Sequence, residues 1–313
     1  MSVAASAQGA NCAPSPGGAA TQAWASETTV LQQAFHLPVE GGDCFAIYRA
    51  PAHGNVHATV LHLPAFGDEM NKARAMTARG ARAFAASGCA VLQMDWFGCG
   101  DSAGDHADAT LARWTDNAQH ALAWLRSQHG DRATTWLWCL RAGALLVPAL
   151  LQQAARDASL LLWQPLSSGK QYLNQLLRLK LAGSIMQPGK AALSAQSLRE
   201  TLRAGETLDI GGYAVSPRLA AEIEAATFDI PRGHRGRVAW FEISASAALL
   251  SPAARTSVDA ARTADTEITA SVVKGPGFWQ SVEIEHCEPL IAASAAVLAA
   301  PPVDAIRRDP AVL

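Results

Sequence analysis

The chain has 313 residues, half of them apolar, which is enough to bury one sizeable core and is typical of a single α/β domain. Its 25 basic and 27 acidic residues give a formal net charge of −2, which argues against a nucleic-acid partner and against binding to an anionic membrane surface. The six cysteines are scattered without a C-x-x-C pair or a metal-ligand spacing, so we expect a reducing compartment, no disulfide framework and no metal site. We also expect no cofactor.

The N-terminal segment 1–30 is rich in Ala, Gly, Ser and Pro and is predicted to be disordered. The first basic residue is Arg49, so this segment lacks the charged start of a secretory signal. The longest apolar run, within Leu137–Leu151, is shorter than the roughly 20 residues that a membrane span needs. We therefore expect a soluble, cytoplasmic protein with one domain over residues 31–300 and a polar tail over 301–313.

Strand-like and helix-like patterns alternate along the chain, which predicts βαβ units and a mostly parallel sheet with flanking helices. The predicted strands cover residues 33–39, 43–49, Val56–Leu63, Cys89–Asp95, Trp136–Leu140, Ser159–Pro165, Arg237–Ser244 and Thr266–Lys274. The predicted helices cover residues 69–87, 109–128, Gly143–Asp157 and Cys287–Ala300. Residues 169–227 do not show a pattern of short strands bounded by turn residues, and we expect them to form a helical cap over a pocket, outside the sheet.

The most informative segment is the transition from the strand Trp136–Leu140 to the small residues that follow it. In α/β-hydrolases this strand–turn–helix carries the motif Gly-x-Ser-x-Gly, whose serine is the nucleophile on a strained elbow. Here the five positions read Cys139-Leu140-Arg141-Ala142-Gly143. Because a guanidinium stays protonated and has no lone pair to donate, Arg141 cannot act as the nucleophile.

The other two positions of a Ser-His-Asp triad also lack the expected residues. The acid would follow the strand Arg237–Ser244, but 244–252 contains no Asp or Glu. The histidine would follow the last strand, where the chain reads Gly-Pro-Gly-Phe-Trp-Gln over 275–280, and His286 is interpreted as an exposed residue at a helix start. The acyl-enzyme route therefore fails at all three positions.

A glycine-containing loop, Asp95-Trp-Phe-Gly-Cys-Gly-Asp-Ser102, fits a D-x-x-G-x-G-x-S pattern that often follows the fourth strand of α/β-hydrolases. We interpret it first as a structural loop, in which Asp101 or Ser102 satisfies backbone amides. A catalytic role for Asp95 or Asp101 is the less favoured alternative.

Several motifs together resemble the exosortase A system-associated hydrolase 2 family, over about residues 30–300. They are Leu63–Lys72, Asp95–Ser102, Trp138–Gly143, Leu162–Gly169 and Gly277–Gln280. The resemblance implies an α/β-hydrolase fold. It also implies a bacterial protein of the PEP-CTERM system, encoded beside exosortase and exopolysaccharide genes, with a protein partner within that system. It also implies that arginine at the elbow is a family trait, whereas Cys139 departs from the glycine expected there.

Two partners are considered for the guanidinium of Arg141. One is a carboxylate from Glu69, Asp68, Asp95 or Asp101, which would form a buried ion pair and is slightly favoured. The other is an anionic ligand, held together with backbone amides near Phe66 and Leu140. The residues predicted to form the pocket are Arg141, Leu140, Phe66, Ser102 and Trp279. An apolar wall would come from Trp96, Phe97, Phe278 and Trp279, although four aromatic residues at strand ends more often belong to the rim of the core.

Two functional classes stay open. The first is a hydrolase of ester or thioester type in which Glu69, Asp95 or Asp101 is the base for a water molecule. The second is a non-catalytic pseudohydrolase that binds an anionic acyl or sugar intermediate or a partner protein. The residue chemistry favours the second class. The discriminating observation is whether a Ser, Cys or carboxylate lies within hydrogen-bond reach of a base at the strand ends.

Overall fold

A computed structural model describes residues 30–130, 133–185, 194–246, 248–262 and 266–300. Apart from Val30, the predicted disordered segment lies outside the described residues, and so does the predicted tail 301–313. The division of the chain into an N-terminal segment, a domain and a tail therefore stays a prediction.

Ten strands are present in the described chain, and eight of them form the central sheet in the order β1-β2-β4-β3-β5-β6-β9-β10. β1 and β2 pair antiparallel, as do β2 and β4, and all other neighbours are parallel. The mostly parallel sheet predicted from the sequence is confirmed. The central-sheet strands are β1 (Val30–Val39), β2 (Gly42–Pro51), β3 (Ala58–Leu63), β4 (Cys89–Met94), β5 (Thr134–Leu140), β6 (Ser159–Trp163), β9 (Val238–Ser244) and β10 (Ile268–Lys274).

The strands in the middle of the sheet form because they are largely apolar and can be covered on both faces. Every residue of β3 and of β6 is buried. On one face, Trp138 and Trp163 pack beneath Met76, Phe84 and Leu290. The helices are α1 (Asp68–Ala86), α2 (Leu111–His129), α3 (Val147–Gln153), α4 (Gly169–Ile185), α5 (Ala195–Arg203), α6 (Pro217–Ala225), α7 (Pro252–Ala261) and α8 (Glu288–Ala299).

The helices cover the two faces of the sheet as separate layers. Helices α1 and α8 belong to the core that contains Trp138 and Trp163. Helices α2, α3 and α7 belong to the opposite core, which contains Trp114, Leu150 and Val258. The predicted helix stripe at Leu111, Trp114, Ala118, Ala121 and Leu125 is buried, as expected.

The segment after β5 differs from the prediction. A helix was predicted over Gly143–Asp157, but the chain first forms a 3-10 turn over Arg141–Leu146, and α3 begins only at Val147. Pro148 explains the late start, because proline has no N–H and is accepted only in the first turn of an α-helix.

The insertion between β6 and β9 is also more varied than predicted. It lies outside the central sheet, as expected, and contains α4, α5 and α6. It also contains a two-stranded antiparallel hairpin of β7 (Leu208–Ile210) and β8 (Tyr213–Val215), which the prediction of a helical insertion did not include. The hairpin turn is Gly211-Gly212, with φ of 62° and 86°, a conformation that glycine adopts without steric cost.

Two ends of this insertion meet at its base, where Ser168 forms an antiparallel bridge with Thr227. The insertion is therefore a lobe that leaves the sheet and returns at one place. No helix in the described ranges is long and apolar enough to cross a bilayer.

Candidate active site

Arg141 occupies a strained turn at the carboxyl end of β5. Its φ is 51°, and only one other described residue that is not glycine, Gln164, has a positive φ. Positive φ costs roughly 1 kcal/mol for a residue with a Cβ and is the mark of a strand-to-helix elbow. The backbone therefore has the shape of a nucleophile elbow, with a guanidinium where the nucleophile would be.

A close approach of two backbone segments holds the elbow in place. A Cβ added to Gly143 would lie 2.2 Å from the carbonyl oxygen of Leu63 and 2.7 Å from that of Pro64. Glycine is needed at this position because only a residue without a side chain lets the turn pack against the end of β3.

The guanidinium of Arg141 is paired with Glu69, which lies in the first turn of α1. Nη2 of Arg141 is 3.0 Å from Oε1 of Glu69, and Nε is 3.3 Å from both carboxylate oxygens. Nη2 also donates to Oε1 of Gln175 at 3.2 Å, and the guanidinium carbon lies 5.2 Å from the ring centre of Trp279. Of the four carboxylates considered from the sequence, Glu69 is the one that forms the ion pair.

Burial dominates the electrostatics of this pair. The side chains of Arg141 and Glu69 are 11% and 20% exposed. Burial raises the pKa of Glu69 above its usual value, and the attraction of Arg141 offsets only part of that rise. Glu69 is therefore easier to protonate than an ordinary glutamate. Burial also raises the pKa of Tyr172, whose hydroxyl donates to the carbonyl oxygen of Phe66 at 3.2 Å.

A cavity of about 320 Å³ opens above this pair, and we call it the elbow cavity. Its walls combine the first turn of α1, the elbow, the cap insertion and the loop after β10. None of the described residues that line it is Ser, Thr or Cys. The apolar and aromatic lining residues are Phe66, Trp114, Tyr172, Leu176, Leu179, Ile210, Tyr213, Val215, Leu219, Ile223 and Trp279, and the polar ones include Asp68, Glu69, Lys72, His106, Arg141, Gln175 and Gln280.

His106 is a lining residue that the sequence analysis missed. Its Nδ1 lies 2.8 Å from the carbonyl oxygen of Ala214, which can only accept, so Nδ1 carries the hydrogen. In the neutral ring Nε2 is then an acceptor, and this atom is buried with no partner among the described residues. The Gly211-Gly212 turn was the available signal, because it predicts the hairpin that brings Ala214 and Tyr213 to His106.

The predicted pocket residues fall in different places. Phe66 and Trp279 line the elbow cavity beside Arg141, whereas Leu140 and Ser102 do not. The hydroxyl of Ser102 donates to the carbonyl oxygen of Asp95 at 2.6 Å and accepts from the backbone N–H of Phe45 at 2.9 Å. This serine stabilises its loop, as the structural interpretation of the motif expects.

The other candidate carboxylates lie away from the elbow cavity. Asp95 is 3.0 Å from Nη2 of Arg74 and accepts from the backbone N–H of Asp101 at 3.3 Å. Asp101 itself is exposed. Among the three predicted bases, only Glu69 lines the cavity. The four aromatic residues proposed as an apolar wall also separate, since Trp96, Phe97 and Phe278 are buried in the core and only Trp279 faces the cavity.

The remaining triad positions hold no catalytic substitutes among the described residues. Trp279 lines the cavity from the loop after β10, where hydrolases place the histidine, and His286 is exposed and not part of the lining. Glu242, near the end of β9, accepts from the backbone N–H and the hydroxyl of Ser251 and so serves as a local cap.

The cysteines offer no alternative nucleophile. The five described ones are all buried, and burial raises the pKa of the Cys99 thiol to about 12. Burial likewise raises the pKa of Cys139, whose side chain lies inside β5. A thiol with a raised pKa is inert. The described residues also contain no His, Cys, Asp and Glu cluster that could hold a metal ion.

The fold is that of the α/β-hydrolases, as comparison with solved structures shows. Est1E from Butyrivibrio proteoclasticus, solved with ferulic acid bound, is similar with a TM-score of 0.57 at 13% identity over 88% of this chain and 100% of that chain. A protein from Agrobacterium vitis S4 with a provisional hydrolase assignment gives a TM-score of 0.51 at 15% identity over 89% and 98% of the two chains.

A hypothetical protein from Pseudomonas aeruginosa gives a TM-score of 0.54 at 12% identity, over 87% of this chain and 94% of that one. No family model matches the sequence, and no curated protein matches it. At these identities the likeness concerns the fold alone, so the function has to be argued from the elbow cavity.

Proposed function

We propose that this protein binds a small molecule with a carbonyl or carboxyl head and an apolar or aromatic body in the elbow cavity, and that it forms no acyl-enzyme. The observation that carries the proposal is the replacement of the elbow nucleophile by Arg141, paired with Glu69 at one side of a cavity whose other walls are largely apolar. Pockets with an apolar lining and a few fixed polar groups are typical of small-molecule sites.

The charges that line the cavity define the head group of the ligand. They form two pairs, Arg141 with Glu69 and Lys72 with Asp68, whose Nζ and Oδ2 atoms are 2.8 Å apart. Because these charges sum to zero, the site favours a neutral carbonyl or a single carboxylate over a highly charged anion. A carboxylate is accommodated if Glu69 takes up a proton, which its raised pKa favours.

Calorimetric titration of short acyl acids, aromatic acids such as ferulic acid and their methyl esters tests the proposal. For a ligand that binds, Arg141→Met should weaken binding by about 10- to 100-fold, the effect of losing one charge-assisted hydrogen bond. Lys72→Met is the matched control, because Lys72 lines the same cavity but bonds to Asp68, and it should change the affinity by less than about threefold. Equal binding by the wild type and Arg141→Met would contradict the proposal.

Hydrolysis by a rearranged site is the second candidate, and one observation favours it. Glu69 is a buried carboxylate with a raised pKa in the cavity, the usual condition of a general base that works near neutral pH. In this case Glu69 would take the proton of a water molecule that attacks the carbonyl carbon of an ester or thioester held by Arg141. The acyl C–O or C–S bond then breaks, and the proton on Glu69 passes to the departing oxygen or sulfur, so that a carboxylic acid and an alcohol or thiol leave. Turnover of such substrates that is lost in Glu69→Gln would support this candidate, and absence of turnover in the wild type would exclude it.

For the biological setting we propose a role beside the exosortase and exopolysaccharide system of a bacterium, in the cytoplasm. The support is the motif resemblance over residues 30–300, with arginine at the elbow as one of its elements. Deletion of the gene in a strain that exports polysaccharide tests this setting. Unchanged polysaccharide and unchanged sorting of surface proteins would contradict it.

A further inference from the structure

A second cavity, of about 240 Å³, lies between α1 and strands β2 and β4. It shares no lining residue with the elbow cavity. Its polar lining residues are Arg49, His62, Arg74, Thr77, Gln93 and Asp95. The function proposed above uses none of these groups.

Arg49 is a buried cation without an acidic partner in the described chain. It is 3% exposed, and its bonds are to neutral amides: Nε donates to Oε1 of Gln32 at 2.8 Å, and Nη1 donates to Oε1 of Gln93 at 2.5 Å. Burial, together with the nearby cation Arg82, lowers the pKa of Arg49 to about 10, so the side chain is still charged at neutral pH. A buried charge without a counter-ion is costly, so something negative is expected beside it.

His62 supplies an independent sign of a missing partner in the same cavity. The residue is 4% exposed, and its Nε2 is buried with no hydrogen-bond partner among the described residues. Burial lowers the pKa of His62 to about 3, so the ring is neutral at physiological pH. Buried polar atoms in proteins are nearly always bonded, and an orphan of this kind indicates an absent partner.

Asp95 does not fill this role for Arg49. Its carboxylate lies 3.0 Å from Nη2 of Arg74, with a further bond from the backbone N–H of Asp101. Since Arg74 and Asp95 neutralise each other, the cavity keeps the one positive charge of Arg49. Two of the five N–H donors of a guanidinium are used by the glutamines, which leaves three for a ligand.

We propose that this cavity is a second binding site that takes a small anion, a carboxylate or a phosphate, on Arg49. The lone pairs of such an anion match the remaining guanidinium donors, and its charge offsets the buried cation. The site does not depend on the function of the elbow cavity, because no residue is common to the two.

Thermal unfolding at constant ionic strength tests the site, with inorganic phosphate and acetate as separate probes and acetamide as the neutral control. At ten times its Kd, a specific anion should raise Tm by about 3 °C in the wild type. The variants are made in an Arg141→Met background, because the function proposed above would let the elbow cavity bind acetate as well. In this background Arg49→Met should abolish the rise, while Arg82→Met, which removes an exposed cation nearby, should keep it. The two probes show which anion class the site prefers.

The proposal would be overturned if neither phosphate nor acetate gave a saturable rise in Tm. It would also be overturned if Arg49→Met showed the same rise as the protein that keeps Arg49. If Arg49→Met does not fold, NMR of the wild type decides. Saturable, anion-dependent shifts of the His62 ring nitrogens that acetamide does not cause would support the site. Unchanged His62 signals at saturating phosphate and acetate would contradict it.

Discussion

At the scale of single residues, Arg141 carries two unfavourable conditions at once, and its neighbours offset the burial of its charge. It has positive φ, and its charged side chain is mostly buried. The carboxylate of Glu69, the amide of Gln175 and the ring of Trp279 surround the guanidinium. A charge–ring contact of this kind contributes about 0.5–2 kcal/mol, depending on its exposure to water. Such a set of contacts indicates a built site in which the arginine has a defined position.

The ion pair predicts the stability of Arg141→Met. Removal of the guanidinium leaves Glu69 buried without its partner and should lower the free energy of unfolding by about 2 kcal/mol at pH 8, a value reduced for the partial exposure of the pair. The double variant Arg141→Met/Glu69→Leu should recover most of this loss, because neither charge then remains buried. Urea denaturation of the four proteins in the cycle measures both effects, and an additive double variant would show that the pair is not coupled.

The raised pKa of Glu69 predicts a pH dependence with a definite sign. The folded state binds this proton more tightly than the unfolded chain does, so lowering the pH from above the folded pKa to below the unfolded pKa stabilises the fold. Glu69→Gln has no such proton. The stability of the wild type relative to Glu69→Gln should therefore rise as the pH falls through this window. Urea denaturation of both proteins across the acidic and neutral range measures it, and a difference that falls instead would mean that Arg141 outweighs burial.

At the scale of elements, the elbow depends on the contact between the 3-10 turn and the end of β3. Gly143→Ala should lower the free energy of unfolding by about 1–3 kcal/mol, since its Cβ would meet two backbone carbonyls that cannot move independently. Gly183→Ala, in α4 with open space around it, is the control and should stabilise by up to about 1 kcal/mol. Equal effects at both positions would show that the close approach at the elbow has no energetic role.

Much of the fold could be predicted at this scale because buried parallel strands leave a strong signal. Runs such as Leu137–Leu140 and Leu160–Trp163 are apolar without interruption. The hairpin of β7 and β8 was missed because each strand has three residues, too few for a periodic pattern. Only Gly211-Gly212 marked the hairpin, and in an otherwise helical segment that signal was outweighed.

At the scale of the whole molecule, the sequence located the elbow but could not resolve which side chains meet there. Arg141, the pair Phe66 and Glu69, and Trp279 come together from three separate segments, and the strand order that joins them is a tertiary property. Asp95 and Ser102 were attractive because of their motif. In the structure Asp95 forms an ion pair with Arg74, and Ser102 forms hydrogen bonds within its own loop. The signal for His106 lay far away in the sequence, in the Gly211-Gly212 turn, because its surroundings come from the cap hairpin.

The central claim, that the elbow of this fold forms no acyl-enzyme, is tested most directly by intact-protein mass spectrometry. The protein is incubated with a serine-directed fluorophosphonate and, separately, with p-nitrophenyl acetate, beside an active serine esterase as the positive control. Because no described Ser, Thr or Cys lines the cavity and Trp279 lies where the catalytic histidine would be, we predict an unchanged mass with both reagents. A stoichiometric adduct that maps to the cavity would contradict the account.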